Sequence, residues 1–132
     1  MNQEQIMQIQ MLEQEANQLN EQLQLVEQNI NEMTELSMSL KEVDEHKEGD
    51  EILANLGKKI YLPVEIKDKE LIVEVGRGNL VKKSVSETLK IIDEHIKKLK
   101  QGKEQITCRV EEIQGEMIKL INILQKEQSK EK

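Results

Sequence analysis

The sequence predicts an α+β fold that is mainly helical: a long antiparallel coiled-coil hairpin with two central β-hairpins. The grounds are two heptad-patterned stretches at opposite ends of the 132-residue chain and a short segment of period-two alternation between them. The first seam runs Ile9, Leu12, Ala16, Leu19, Leu23, Val26, Ile30, Met33, Ser37, Leu40 in alternating steps of three and four, and Ser37 alone breaks its apolar pattern. The second runs Val85, Leu89, Ile92, Ile96, Leu99, Lys103, Ile106, Val110, Ile113, Met117, Leu120, Leu124, with Lys103 as its one exception. A repeat held to 3.5 residues over this length is a stripe that packs against another helix in a left-handed supercoil.

Three segments follow: a coiled-coil helix within 1–46, a β-hairpin oligomerisation segment over 47–83, and a second coiled-coil helix within 84–132. The first helix is expected over 4–46 and the second over 84–129. Ser84 caps the latter, and Glu87, three residues on, completes a capping box. At 1.5 Å per residue each is roughly 60 to 70 Å long. Glutamine and asparagine are dense up to Asn31, but they fall between seam positions and so mark a solvated helical face. Gly102 and Gly115 sit inside the second helix, where each costs ~1 kcal/mol relative to alanine. With Lys103 adjoining Gly102, the weakest part of the coil is expected there.

Between the helices, Lys59 to Lys67 (KIYLPVEIK) and Glu70 to Val75 (ELIVEV) alternate apolar and polar, and Lys67-Asp68-Lys69 between them reads as a hairpin turn. Ile52 to Leu56 and Asn79 to Lys82 add outer strands, joined through Gly57 and through Gly76-Arg77-Gly78. Pro63 lacks the N–H that a central strand donates, so its strand is expected at an edge, bulged or broken. Ile60, Leu62, Val64 and Ile66 on one side and Leu71, Val73 and Val75 on the other offer an apolar face. A four-strand sheet with no helix to cover it finds that cover in another chain, which predicts an oligomer assembled through this segment.

Composition excludes several function classes. Aromatic content is 1% and charged residues make up 34%, the profile of long exposed helices rather than of a compact enzyme. Residues 1 to 48 carry eleven acidic and two basic side chains, a balance of −9 within an overall −7, which leaves +2 on the remainder. Opposed balances favour docking the two helices on each other, at ~0.2 to 1 kcal/mol per exposed pair. An acidic chain nearly without aromatic rings lacks both the phosphate-neutralising surface and the stacking platforms of a nucleic-acid binder. The start MNQEQIMQIQ lacks a signal-peptide pattern, and no apolar run nears transmembrane length. The single cysteine, Cys108, has no internal disulfide partner, so a cytoplasmic location without membrane association is expected.

The Gly-x-Gly at Gly76 and Gly78 follows a strand but lacks the third glycine and the helix of a phosphate loop, and reads as a hairpin turn needing positive φ. His46, His95 and Cys108 have no neighbours at metal-ligand or nucleophile-activating spacing, so no catalytic residue, metal or cofactor is assigned. The basic run Lys97, Lys98, Lys100, Lys103 is a contact site for an acidic partner or, more simply, a solvated face.

An antiparallel hairpin pairs positions whose numbers sum to about 130, bringing residues 6 to 12 beside 118 to 124. Both stretches carry more apolar residues than one seam needs: Ile6, Met7 and Met11 accompany Ile9 and Leu12, while Ile118, Ile121 and Ile123 accompany Met117, Leu120 and Leu124. Exposed apolar surface signals binding, and flexible methionines suit a surface that accepts varied shapes. A thicker seam anchoring the helix ends, or a coil continuing into a third helix, accounts for the same residues.

This order of elements resembles the alpha-class subunit of prefoldin, an ATP-independent co-chaperone, over essentially the whole chain. The most specific part is Val73 to Ser84 (VEVGRGNLVKKS), similar to the family's strand, Gly-x-Gly turn and strand leading into the second helix; the hairpin from Leu56 to Ile66 matches in position and pattern. Leu53-Ala54-Asn55-Leu56-Gly57-Lys58 stands where the family usually has a proline and a richer glycine cluster. The resemblance implies that two copies pair through their sheets, recruit four beta-class prefoldin subunits, and build an inter-subunit β-barrel body bearing six coiled coils. It also implies that the coil tips hold unfolded client proteins and pass them to a group II chaperonin, without nucleotide or metal. A filament-forming or scaffold subunit, and a coiled-coil adaptor without general holding activity, are the alternatives.

Overall fold

The computed structural model describes residues 3–130, with side chains through Glu127; the outermost residues of the two expected helical segments, 1–2 and 131–132, lie outside the described residues. The element order is α1 (Gln3–Glu45), β1 (Glu51–Gly57), β2 (Ile60–Glu65), β3 (Leu71–Glu74), β4 (Leu80–Lys83) and α2 (Val85–Lys130). Every position of both heptad seams, Ser37 and Lys103 included, is buried or half-buried, while most flanking positions are exposed. The helices thus form where the seam periodicity places them. Neither Gly102 nor Gly115 interrupts α2.

Local chemistry sets the helix ends. At the end of α1 the Asp50 carboxylate accepts the Lys47 N–H at 2.8 Å, and Asp50 N–H donates back to the Lys47 carbonyl at 3.1 Å. Gly49, inside this turn, stands at φ +91°, a value that a side chain rarely tolerates. At the start of α2 the Ser84 hydroxyl accepts the Glu87 N–H at 3.1 Å, satisfying one of the donors left over by the first helical turn.

The strands form two separate antiparallel hairpins, β1–β2 and β3–β4, rather than one four-stranded sheet. Lys67-Asp68-Lys69, expected as a hairpin turn, instead links the two. The reason lies in Ile66 and Pro63. Ile66 accepts from the Gly49 N–H and donates to the Asp50 carbonyl, both at 2.8 Å, so two residues face one in a β-bulge that directs Ile66 towards the β1 side. Antiparallel bonding alternates along a strand, so the missing N–H of Pro63, opposite Leu53, falls on the outer edge of β2, where it cannot donate to β3. The linker is held locally instead: Asp68 accepts the Glu70 N–H at 3.1 Å, and Lys69 Nζ donates to the Asp44 carbonyl at 2.9 Å.

Both hairpin turns need left-handed backbone. Lys58 and Lys59 stand at φ +50° and +66° between the paired Gly57 and Ile60, the two-residue type I′ geometry whose twist matches the strands. In the second turn Gly76, Arg77 and Gly78 have φ of +127°, +50° and +77°, and the Glu74 carboxylate accepts the Gly78 N–H at 3.1 Å.

The chain divides into two compact units. One spans residues 32–97 and contains both hairpins; its core is Leu40, Val85 and Ile92, with Met33, Val43, Leu71, Leu89 and Ile96 packed against it. The other comprises the chain up to Asn31 and from Lys98 onward. There Ile113 is fully enclosed, and ion pairs run from Lys103 to Glu27 (3.4 Å) and from Arg109 to Glu15 (3.0 Å). Higher numbers on α2 meet lower numbers on α1, so the helices are antiparallel.

Candidate functional site

In the hairpin-bearing unit, register decides which side chains share a face. Ile52 is opposite Val64 and Ala54 opposite Leu62, so these four lie together; Leu53, Pro63 and Tyr61 lie on the other side. On the second hairpin Val73 is opposite Val81 and Leu71 opposite Lys83, while Ile72 and Leu80 belong to the reverse face. Of the residues expected to meet another chain, Ile60 and Leu62 are exposed, and Val64 and Val73 are half-buried. Val75 is exposed and lies just past β3, where its N–H donates to the Asn79 carbonyl at 2.9 Å. Ile66, 8% exposed, and Leu71, packed on the Leu40 cluster, spend their side chains inside their own chain.

Six large exposed apolar side chains of the hairpins were missed by the alternation pattern: Leu53, Leu56, Tyr61, Ile72, Leu80 and Val81. A signal for Ile72 was present, because Leu71-Ile72-Val73 is apolar without a break, the mark of a strand covered on both faces. Each hairpin also has outer edges with unpaired backbone groups, a template for another chain.

In the chain-end unit the apolar surplus separates into two sets. Ile6, Ile9 and Leu12 on α1 and Met117, Leu120 and Leu124 on α2 are half-buried, whereas Met7, Met11, Ile118, Ile121 and Ile123 are exposed, Met11 at 67%. A groove of about 760 Å³ opens between the helices. Its apolar lining is Met11, Leu12 and Leu120; its amides are Gln8, Gln14 and Gln18; its charges are Glu15, Glu116 and Lys119. Beside it Arg109 grips both oxygens of Glu15, at 3.0 and 3.2 Å, and reaches Glu112 at 3.2 Å. The hydrogen bond from Glu15, then that from Glu112, holds the guanidinium further above its ordinary pKa.

His46 Nδ1 lies 3.5 Å from Asp50 Oδ2, and the Lys47 N–H, more than the neighbouring His46, holds the Asp50 carboxyl below its ordinary pKa. Cys108 is free and exposed. Among the described residues no group of three or more His, Cys, Asp or Glu side chains is placed to hold a metal ion, and no helix is long and apolar enough to cross a membrane.

Two long helices joined by two β-hairpins, with apolar side chains left outside at the strands and at the chain ends, match one family. The Prefoldin subunit family profile fits residues 12–130. The chain belongs to the prefoldin subunit family. Prefoldins are a chaperone family rather than an enzyme family. The chain is 28% identical over 130 residues to the prefoldin alpha subunit of Archaeoglobus fulgidus, covering 98% of this chain and 95% of that one. It is 28% identical over 112 residues to the prefoldin alpha subunit of Thermofilum pendens, covering 79% and 87% of the two chains. The cryo-EM structure of filamentous PFD from Methanocaldococcus jannaschii shares the fold, with a TM-score of 0.55 at 23% identity over 89% of this chain and 93% of that one.

Proposed function

We propose that this prefoldin subunit is a cytoplasmic, ATP-independent holding chaperone. It assembles through its hairpins with beta-class subunits, two copies to four, in a β-barrel body. It binds unfolded proteins at the coil tips and delivers them to a group II chaperonin. The observation that carries the reading is the pairing of a family match along residues 12–130 with an apolar surplus that the seam leaves uncovered at Met7, Met11, Ile118, Ile121 and Ile123. Weak apolar contacts repeated on several coils hold a client by avidity rather than by a deep pocket. Assembly is supported by Ile60, Leu62, Val64, Val73 and Val75, joined by the six exposed side chains that the alternation missed, since an isolated two-stranded hairpin is marginal in water.

The test is removal of residues 1 to 12 and 118 to 132 together. Loss of aggregation suppression with the native mass of the complex retained supports tip binding; undiminished suppression refutes it. A second reading, self-assembly into filaments or a scaffold, is favoured by the open strand edges of both hairpins. Native mass of the protein isolated from its own cells separates the two: two copies with four of a smaller subunit, or a homopolymer.

A further inference from the structure

The groove between residues 8–18 and 116–120 is lined by both apolar and charged side chains, and the charged ones are mainly acidic. Three carboxylates surround Arg109: Glu15 through both oxygens, Glu112 at 3.2 Å, and Glu116 at 4.0 Å. One guanidinium offsets one of three formal negative charges, and Lys119 offsets a second, so the surroundings of the groove stay negative. Along α1 from Gln3 to Asn31 every charged side chain is acidic: Glu4, Glu13, Glu15, Glu21 and Glu27. The remaining polar lining is uncharged, since Gln8, Gln14 and Gln18 present amides that both donate and accept hydrogen bonds.

We propose that this groove selects, among unfolded chains, apolar segments that carry basic side chains, and discriminates against acidic ones; the proposal rests on the client-holding function above. The apolar part of such a segment lies on Met11, Leu12 and Leu120. Its lysine or arginine meets Glu116, whose 4.0 Å approach to Arg109 is the longest of the three. The glutamines satisfy backbone N–H and C=O groups that the segment would otherwise bury without partners. The glutamine-rich stretch thereby serves sequence-tolerant binding, and the charge supplies the selectivity.

The test uses the full-length protein in its native assembly and three labelled peptides of one length and one apolar pattern, with lysine, glutamine or glutamate at the polar positions. The lysine peptide is expected to bind about five- to tenfold tighter than the glutamate peptide at low salt, a gap that closes at high salt as exposed charges are screened. Glu116→Gln narrows the gap and Lys119→Glu widens it, with helicity and native mass unchanged in both. Equal affinity for all three peptides overturns the charge preference and leaves client holding intact. Failure to bind any of them overturns both.

Discussion

The hairpin-bearing unit and the chain-end unit share two helices and one apolar seam but bury that seam to different degrees. In the former, Leu40, Val85 and Ile92 close a cluster that also takes in Leu71 from β3, so helices and strand anchor one another through excluded water. In the latter the apolar seam is mostly half-buried around Ile113, the one fully enclosed side chain among the described residues; the ion pairs Arg109–Glu15 and Lys103–Glu27 join the helices beside it, and six large apolar side chains, Leu25 among them, face outward. A seam of one repeat can therefore be used twice. Where it is thickened by a strand it fixes a platform, and where its flanks stay apolar and uncovered it leaves a surface for transient contacts.

The largest expected effect is on assembly. Val73→Glu places a charge beside Leu71 and Val81 on one face of the second hairpin, so the native mass should fall to that of an unassembled species while far-UV helicity persists. A complex of normal size would show that this face is solvated. Next comes core truncation. Ile92→Ala, at a 6% exposed position, should lower unfolding stability by about 2–5 kcal/mol and speed amide exchange in β3 and β4. Ile113→Ala should lower stability without touching exchange in the strands; equal effects on strand exchange would erase the contrast between the units.

A smaller change of opposite sign is expected at Gly102, where an added Cβ meets no atom within 4 Å: Gly102→Ala should raise stability in urea by about 1 kcal/mol. The smallest effect follows pH. The folded pKa of Asp50 is depressed below 3.8, so its stabilising contribution is fully present above that value and disappears as pH falls through the folded pKa. Acid titration monitored at the hairpin-bearing unit should show this loss, and Asp50→Asn should remove that step.

The helices, their seams and the cap at Ser84 were legible in the sequence, because each rests on residues three or four apart, and helix geometry turns that spacing directly into a face. The surplus at residues 6–12 and 117–124 was legible for the same reason, by counting apolar residues beyond the seam. Two kinds of feature were decided by the tertiary structure. Strand pairing depends on which residue faces which: Ile66 bonding back to Gly49 and Asp50 ended the expected turn at Lys67-Asp68-Lys69, and the register put Ile72 opposite Lys82 and Leu80 opposite Glu74, on the face away from Val73 and Val81. The Arg109–Glu15 pair joins residues 94 apart. The antiparallel pairing set only the approximate heights at which the two helices meet; no local period records the contact itself, and the packing of the helices decided that Arg109 takes both oxygens of Glu15.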